Sequence, residues 1–367
     1  MNIIEIKECT NDLQRLGRIY ESSKQELFMN WTCSGLRFQF QGTCLVAELQ
    51  AICGEEYENP FDKKSSMRKT WPYIAVFVDY QEEPVSYFEV NDRSQHYMIF
   101  SSNKEERHII TIRKMSENQK GKLSLNKFLT DGSIGKAEEE YNRLRLEFIG
   151  DSITCGFGNL SNDRNLLFYS ADENGWLSHA AVAARKLNAE FSIISCSGIA
   201  TSKGLGNFPW GLPSMTELYP YTDRMVEELQ GKESFTEWDF TGDKPDVIVL
   251  NLGTNDATVI EFNGEIDSGV QKFEEDYAHF LKLIREKNGV KPWIICALGS
   301  MDYYLYDNIK KVVDHYSREN GDQRISCFKY GRIRIMDGYG ACGHPNLVTQ
   351  LRMGDEIAGY IKELMKR

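Results

Sequence analysis

Positive charge is in short supply in this 367-residue sequence: 43 Lys and Arg face 54 Asp and Glu, a formal charge of −11. A chain this acidic has no general attraction for phosphate backbones or anionic lipid, so neither nucleic acid nor a membrane surface is expected as a partner. Long apolar runs are also missing, and no stretch approaches the ~20 apolar residues that span a bilayer. The opening MNIIEIKECTND carries no basic leader followed by an apolar stretch, which leads to the expectation of a cytoplasmic protein. CxxC pairs are absent as well. The nine cysteines (Cys9, Cys33, Cys44, Cys53, Cys155, Cys196, Cys296, Cys327, Cys342) are odd in number and read as reduced, mostly buried thiols rather than a disulfide framework or zinc cage. There is no internal repeat.

What is present is ordinary globular chemistry, 41% hydrophobic and 26% charged, which excludes global disorder. At ~100–200 residues per domain the length points to two domains. From about residue 34 to about 127 the pattern is that of strands. Leu36, Phe38 and Phe40 alternate with Arg37, Gln39 and Gln41, and Ile74, Val76 and Val78, then His108, Ile110 and Ile112, repeat the spacing. Gly42, Pro84, Asn91-Asp92 and Ser101–Asn103 punctuate the runs as turns. The first fold expected is therefore an antiparallel β-sandwich or jelly roll over residues 1–130. Leu13, Leu16, Ile19 and Tyr20 fall at helical spacing and predict a short helix near the start.

Residues 131–143 are polar and Gly-containing, a linker by composition, and they lack the GxxxxGK[ST] spacing of a phosphate loop. Over 144–367 strands and helices alternate. Strands are expected at 144–150, 191–195, 247–251, 293–298 and 325–328, with helices around Trp176–Leu187, Val270–Ile284, 308–319 and 347–365. The continuous apolar strands are of the kind buried on both faces of a parallel sheet. This order predicts a doubly wound α/β/α domain with its site at the carboxyl ends of the strands.

Three of those strand ends stop on small or polar residues. EFIG-DSIT places Gly150, Asp151 and Ser152 at one turn, CSGIAT places Gly198 at a second, and VIVLNLG-TND places Gly253 and Asn255 at a third. Near the end, GACGHPN sets His344 in a Gly-rich loop ahead of the last helix. A glycine-bordered serine, a late histidine, and Gly and Asn at neighbouring strand ends are the parts that acyl transfer requires: nucleophile, base and N–H donors for an oxyanion. Asp151 reads as structural, its carboxylate accepting turn N–H groups. Cys155 and Cys342 lie close by, but no basic residue flanks Cys155, and packing is its expected role. His96 and His108 sit on β-like segments and His179, His279 and His315 on helical patterns, and no metal site is expected.

GDSIT at 150–154, Gly198, GTND at 253–256 and His344-Pro345 resemble the four blocks of the SGNH (GDSL-like) hydrolases, across about 145–367. The β-rich stretch, with segments such as SGLRFQFQGT and IAVFVD, resembles the N-terminal jelly roll of carbohydrate esterase family two, whose members remove acetyl groups from plant polysaccharides such as xylan and mannan. The resemblance implies Ser152 as nucleophile, His344 as base, and an oxyanion hole of the Ser152 and Gly198 backbone N–H groups with the Asn255 amide. Many SGNH enzymes carry Asp three residues before the histidine; here that residue is Ala341, with Cys342 next. A backbone carbonyl of Ala341 or Cys342 leaves a Ser–His dyad, favoured over the alternative in which Asp337 orients the imidazole.

Two aromatic clusters, TSKGLGNFPWGLPSMTELYPYTD and SMDYYLYD, offer Trp210 and Tyr303 as candidates to stack a sugar, or else as loop anchors. No long apolar loop forms a lid for acyl chains, which favours a short acyl group. The expectation is an O-acetyl carbohydrate esterase acting without a cofactor on acetylated xylan- or mannan-type oligosaccharides. The alternatives are an SGNH lipid esterase or thioesterase for longer acyl chains, and a sugar-binding protein on an inactive hydrolase domain. The sequence carries no signal for oligomeric state.

Overall fold

The computed structural model describes residues 1–58, 64–138, 143–202, 213–242 and 244–366. It divides into two compact units, Met1–Asn142 with Tyr169–Gly175, and Arg143–Phe168 with Trp176–Arg367.

The first unit is antiparallel. Its two longest strands, Gly35–Ile52 and His96–Lys114, pair with each other across register shifts at Met98/Phe100 and Ser101/Glu106. Leu36, Phe38 and Phe40 are buried ahead of Gly42, and Leu45, Ala47 and Leu49 after it. The inward positions switch from even to odd there, as an irregularity in a period-two strand demands. Before the switch the strand is flanked by Gln14–Leu16 and Ser133–Gly135; beyond it, by Lys122–Thr130. The sheet thus folds over one core that takes side chains from both halves of the strand. Ser133–Gly135, within the stretch read as linker, is itself a strand paired with Gln39–Gln41.

The helix expected from Leu13, Leu16, Ile19 and Tyr20 is not there. Helix is confined to Ile6–Cys9, and Gln14–Leu16 and Tyr20–Glu21 are strands. All four side chains are buried regardless. Gly17, at φ +75°, turns the chain out of any helix, and pairing with Gly35–Arg37 supplies hydrogen bonds the local spacing does not reveal.

The second unit is a five-stranded, wholly parallel sheet in the spatial order Glu190–Ser195, Arg145–Gly150, Val247–Asn251, Trp293–Leu298, Ile325–Lys329. Val247–Asn251 is buried along its whole length, as a central parallel strand covered on both faces must be. Helix Ile266–Asn288 buries Phe273, Tyr277, Phe280, Leu281 and Ile284, one apolar stripe at 3.6-residue spacing. It packs with Tyr306–Asn320, while His179–Lys186 packs with Leu347–Leu364. The chain leaves the first strand, Arg145–Gly150, for one edge and returns on its other side at Val247–Asn251. That reversal opens the crevice between Gly150 and Asn251 in which such sheets bind ligands. Among the described residues no helix is long and apolar enough to cross a membrane.

Candidate active site

Gly150 ends the first strand where a side chain would run into the Thr154 hydroxyl. The chain then turns through Asp151 into a four-residue helix, Ser152–Cys155. Asp151 is fully buried and its Oδ1 accepts from the Ile153 N–H at 2.9 Å, which caps that helix and fixes Ser152 at its first position. Ser152 retains 7% exposure.

The loop bearing His344 is held by backbone bonds. Gly340 N–H donates to the His344 carbonyl at 2.8 Å, and Ala341 N–H to the Gly158 carbonyl at 3.1 Å. Cys342, at φ +53°, donates its N–H to the Leu166 carbonyl at 3.1 Å. His344 Nε2 comes to 2.9 Å from Ser152 Oγ, and Nδ1 to 3.2 Å from the Ala341 carbonyl. A carbonyl only accepts, so Nδ1 carries the proton and Nε2 is left free to accept from the serine. Burial pushes His344 from 6.5 down to about 4, against the pull of the Ala341 and Cys342 backbone contacts. The imidazole is therefore neutral at neutral pH.

Gly198 lies in the left-handed region at φ +76°, inside a turn closed by Ile199 N–H to the Cys196 carbonyl at 3.3 Å. Asn255 opens the helix Thr254–Asn263 at the far side of the crevice. Its Nδ2 donates to the Ile199 carbonyl at 2.9 Å and reaches Asp151 Oδ2 at 3.5 Å. The loop after Gly198 is braced by Asp256, whose buried carboxylate takes the Thr201 and Ser202 N–H groups at 2.9–3.1 Å. Burial raises the Asp256 carboxyl above its ordinary value, partly offset by those bonds.

Ser152 thus meets His344, while Asp151 beside it is reached by Asn255, which also holds the Ile199 carbonyl. Asp337 does not join them: its carboxylate lies 3.8 Å from Arg352 Nε, and the position beside His344 Nδ1 belongs to Ala341. Tyr303 donates its hydroxyl to the Tyr330 carbonyl at 2.8 Å, and Lys329 and Arg332 lie 4.9 and 4.8 Å from its ring, so it anchors its own loop. Trp210 lies outside the described residues. Cys155 is fully buried, its thiol donating to Ser195 Oγ at 3.1 Å.

Two residues here carried no signal that drew attention in the sequence. Phe157 places its ring 4.4 Å from the imidazole and stacks on Phe168 at 3.9 Å. Gln350, fully buried in the last helix, donates to the Ile153 carbonyl at 2.9 Å. A polar side chain on the apolar face of a helix was the available clue for Gln350; Phe157 had none.

Two family models match the chain: carbohydrate esterase 2 N-terminal over residues 15–135, and the GDSL-like lipase/acylhydrolase family over residues 148–326. The cellulase/esterase CelE of Acetivibrio thermocellus is 30% identical over 285 residues, 76% of this chain and 33% of that protein. An acetylxylan esterase / glucomannan deacetylase of Cellvibrio japonicus is 28% identical over 217 residues, 56% of this chain and 57% of its own. The chain therefore spans about a third of the length of one of these relatives and just over half of the other. The structure of a family two carbohydrate esterase from Clostridium thermocellum, in complex with cellohexaose, superposes with a TM-score of 0.79 at 26% identity, covering 96% of this chain and 99% of that one. The two family matches follow one another along the chain and the family two carbohydrate esterase structure superposes across both, so the chain carries a carbohydrate esterase 2 N-terminal domain followed by a GDSL-like hydrolase domain.

Proposed function

We propose that this protein removes O-acetyl groups from xylan- or mannan-type oligosaccharides by acyl-enzyme chemistry, with Ser152 as nucleophile and His344 as base. The observation that carries the reading is the 2.9 Å hydrogen bond from Ser152 Oγ to the free Nε2 of a neutral His344. The names of the relatives, acetylxylan esterase and glucomannan deacetylase among them, support the substrate class.

Ser152 Oγ bonds to the acetyl carbonyl carbon as its proton passes to Nε2, and the carbonyl π pair moves onto oxygen. The Ser152 and Gly198 N–H groups and Asn255 Nδ2 are the donors for that oxyanion. Asn255 Nδ2 has two hydrogens, one held by Ile199 at 2.9 Å and one on the long 3.5 Å contact to Asp151. Exchanging the second for an oxyanion costs the least, so Asn255 serves the transition state without giving up its anchor. The C–O bond to the sugar then breaks, and the departing oxygen takes the proton from Nε2. Water gives its proton to His344 as its oxygen adds to the acyl-serine; the bond from Oγ to the acyl carbon then breaks, Oγ takes the proton back from Nε2, and acetate leaves. All nine cysteines are free, which fits a reducing compartment and supports cytoplasmic action on oligosaccharides.

Mass spectrometry of acetylated xylo- and manno-oligosaccharides after treatment tests the substrate, each acetyl lost appearing as one ketene mass. Aryl acetate and aryl octanoate assayed side by side test the acyl group, with acetate expected to be preferred. Turnover that survives Ser152→Ala sinks the mechanism.

A further inference from the structure

The helix that begins at Ser152 is four residues long, too short for its own backbone to satisfy its carbonyls. The Ile153 carbonyl is met from far along the chain, by Gln350 Nε2 at 2.9 Å. Gln350 lies one turn into helix Leu347–Leu364, the helix that starts just past His344. The other end of the same amide is also committed. Gln350 Oε1 accepts from the His179 backbone N–H at 2.7 Å and lies 3.1 Å from His179 Nδ1. His179 opens helix His179–Lys186, where the first N–H groups have no acceptor within the helix.

Both side chains are fully buried. The His179 backbone N–H, which can only donate, fixes which way round the amide sits. Turned over, its NH2 would face that N–H and its oxygen would face the Ile153 carbonyl. One turn on, Gly354 sits so close to Val182 that any side chain would collide, so these helices are in close contact. Tyr330 and Phe148 rings close the other sides of His179 at 5.2 and 6.4 Å.

We propose that Gln350 is a positioning residue: one buried amide ties the backbone beside Ser152 to the helix that follows His344, and so fixes the reach from hydroxyl to imidazole. The inference rests on the acyl-transfer reading above. A hydrogen bond between two side chains is too soft to set its own length, and a misplacement of ~1 Å at a reacting pair costs roughly a hundredfold in rate.

Gln350→Leu keeps the bulk and removes the amide's bonds to Ile153 and to His179. With an aryl acetate its kcat is expected to fall roughly 10- to 100-fold and its KM to stay within about threefold, because no substrate contact changes. Near-UV circular dichroism establishes that the variant is folded. Gln350→Glu discriminates further. As a neutral acid it still donates to the Ile153 carbonyl and accepts from His179; as a carboxylate it donates nothing. Burial raises a carboxyl pKa, so its kcat relative to wild type should be high near pH 5 and fall as pH rises. In the wild-type reference His179, the titratable group in contact, is held down at about 4 by burial and stays neutral in that window.

A folded Gln350→Leu with wild-type kcat overturns the proposal. So does a Gln350→Glu to wild-type ratio that is flat from about pH 5 to 9, a criterion that stands even where the leucine variant does not fold. Failure of the parent reading looks different: Ser152→Ala then keeps turning over, whatever the Gln350 variants do.

Discussion

Replacing Phe157 with alanine alters one property of His344, its access to water. The Phe157 ring lies 4.4 Å from the imidazole and is itself stacked on Phe168. Loss of water is the main reason that His344 is pushed from 6.5 down to about 4, with the Ala341 and Cys342 backbone contacts pulling the other way. A base with that value is already unprotonated at neutral pH, so kcat/KM should stay flat down to an acid limb at about 4. The available gap is 6.5 − 4, or about 2.5 units. If opening one ring face restores about one unit of it, the neutral fraction at pH 5 drops from about 0.9 to about 0.5. Initial rates on an aryl acetate, measured from pH 3.5 to 8 at constant ionic strength, read the limb directly in both proteins. The variant's limb should rise by about one unit while its rate at pH 8 changes by less than about fivefold. A wild-type limb near 6.5, or two limbs that coincide, would refute desolvation as the reason the base is unprotonated.

Asp337→Asn should leave kcat within about threefold of wild type, because the Nδ1 proton is held by the Ala341 carbonyl; a loss above a hundredfold restores Asp337 as orienter. Asn255→Ala should lower kcat on an aryl acetate by roughly 10²–10³, the usual cost of one oxyanion donor. An unchanged kcat would remove Asn255 from the hole. Gly150→Ala forces a methyl against the Thr154 side chain, which is 1% exposed and cannot swing away, so a loss of ~1–3 kcal/mol is expected in urea unfolding. His179 is lowered by burial from 6.5 to about 4, so between those values the unfolded chain takes a proton that the folded one refuses. Its contribution to stability therefore shrinks as pH falls through that window, by roughly 3 kcal/mol in all. The stability difference between wild type and His179→Gln, followed from pH 7 to pH 4, should track it.

Strands 247–251 and 293–298 were legible to the residue, because runs of four and six consecutive apolar side chains between turn signals leave few other structures open. That the Ser152 and His344 loops meet was legible for a related reason: a doubly wound sheet brings the carboxyl ends of its strands together whatever the distance along the chain. Leu13–Tyr20 was misread because helical spacing and a pair of short strands bury the same four residues, and the pairing with Gly35–Arg37 that decides between them is remote. Tyr303 carried aromatic character but no sign that Lys329, Arg332 and the Tyr330 carbonyl would claim it. Gln350 is the sharper case. Its importance lies in two helix termini that need a donor and an acceptor, and neither terminus lies within a hundred residues of it in the chain.

The identity of the orienter follows from packing rather than from the catalytic residues. Position 341 stands three residues before the histidine, where related enzymes often carry a carboxylate. Here it is a fully buried alanine whose Cβ would lie 2.6 Å from a Cβ added at Gly158, itself at φ +62°. Gly340 is as tightly held, since a side chain there would strike the Gly158 carbonyl. A carboxylate at 341 has nowhere to go without parting the two loops, and the bond from Ala341 N–H to Gly158 would go with it. The same tight seam leaves the Ala341 carbonyl aimed at Nδ1 at 3.2 Å. The loop therefore trades a charged partner, which would stabilise the imidazolium more strongly, for a rigid neutral one that fixes the tautomer. A neutral partner also leaves burial free to dominate, which is why His344 is driven down rather than up. Ala341→Asp joined to Gly158→Ala would worsen the crowding, so the informative variant is Ala341→Asp alone. It should lose folding stability before it gains any rate, and a folded Ala341→Asp with a raised acid limb and higher kcat would show that the seam is looser than these contacts require.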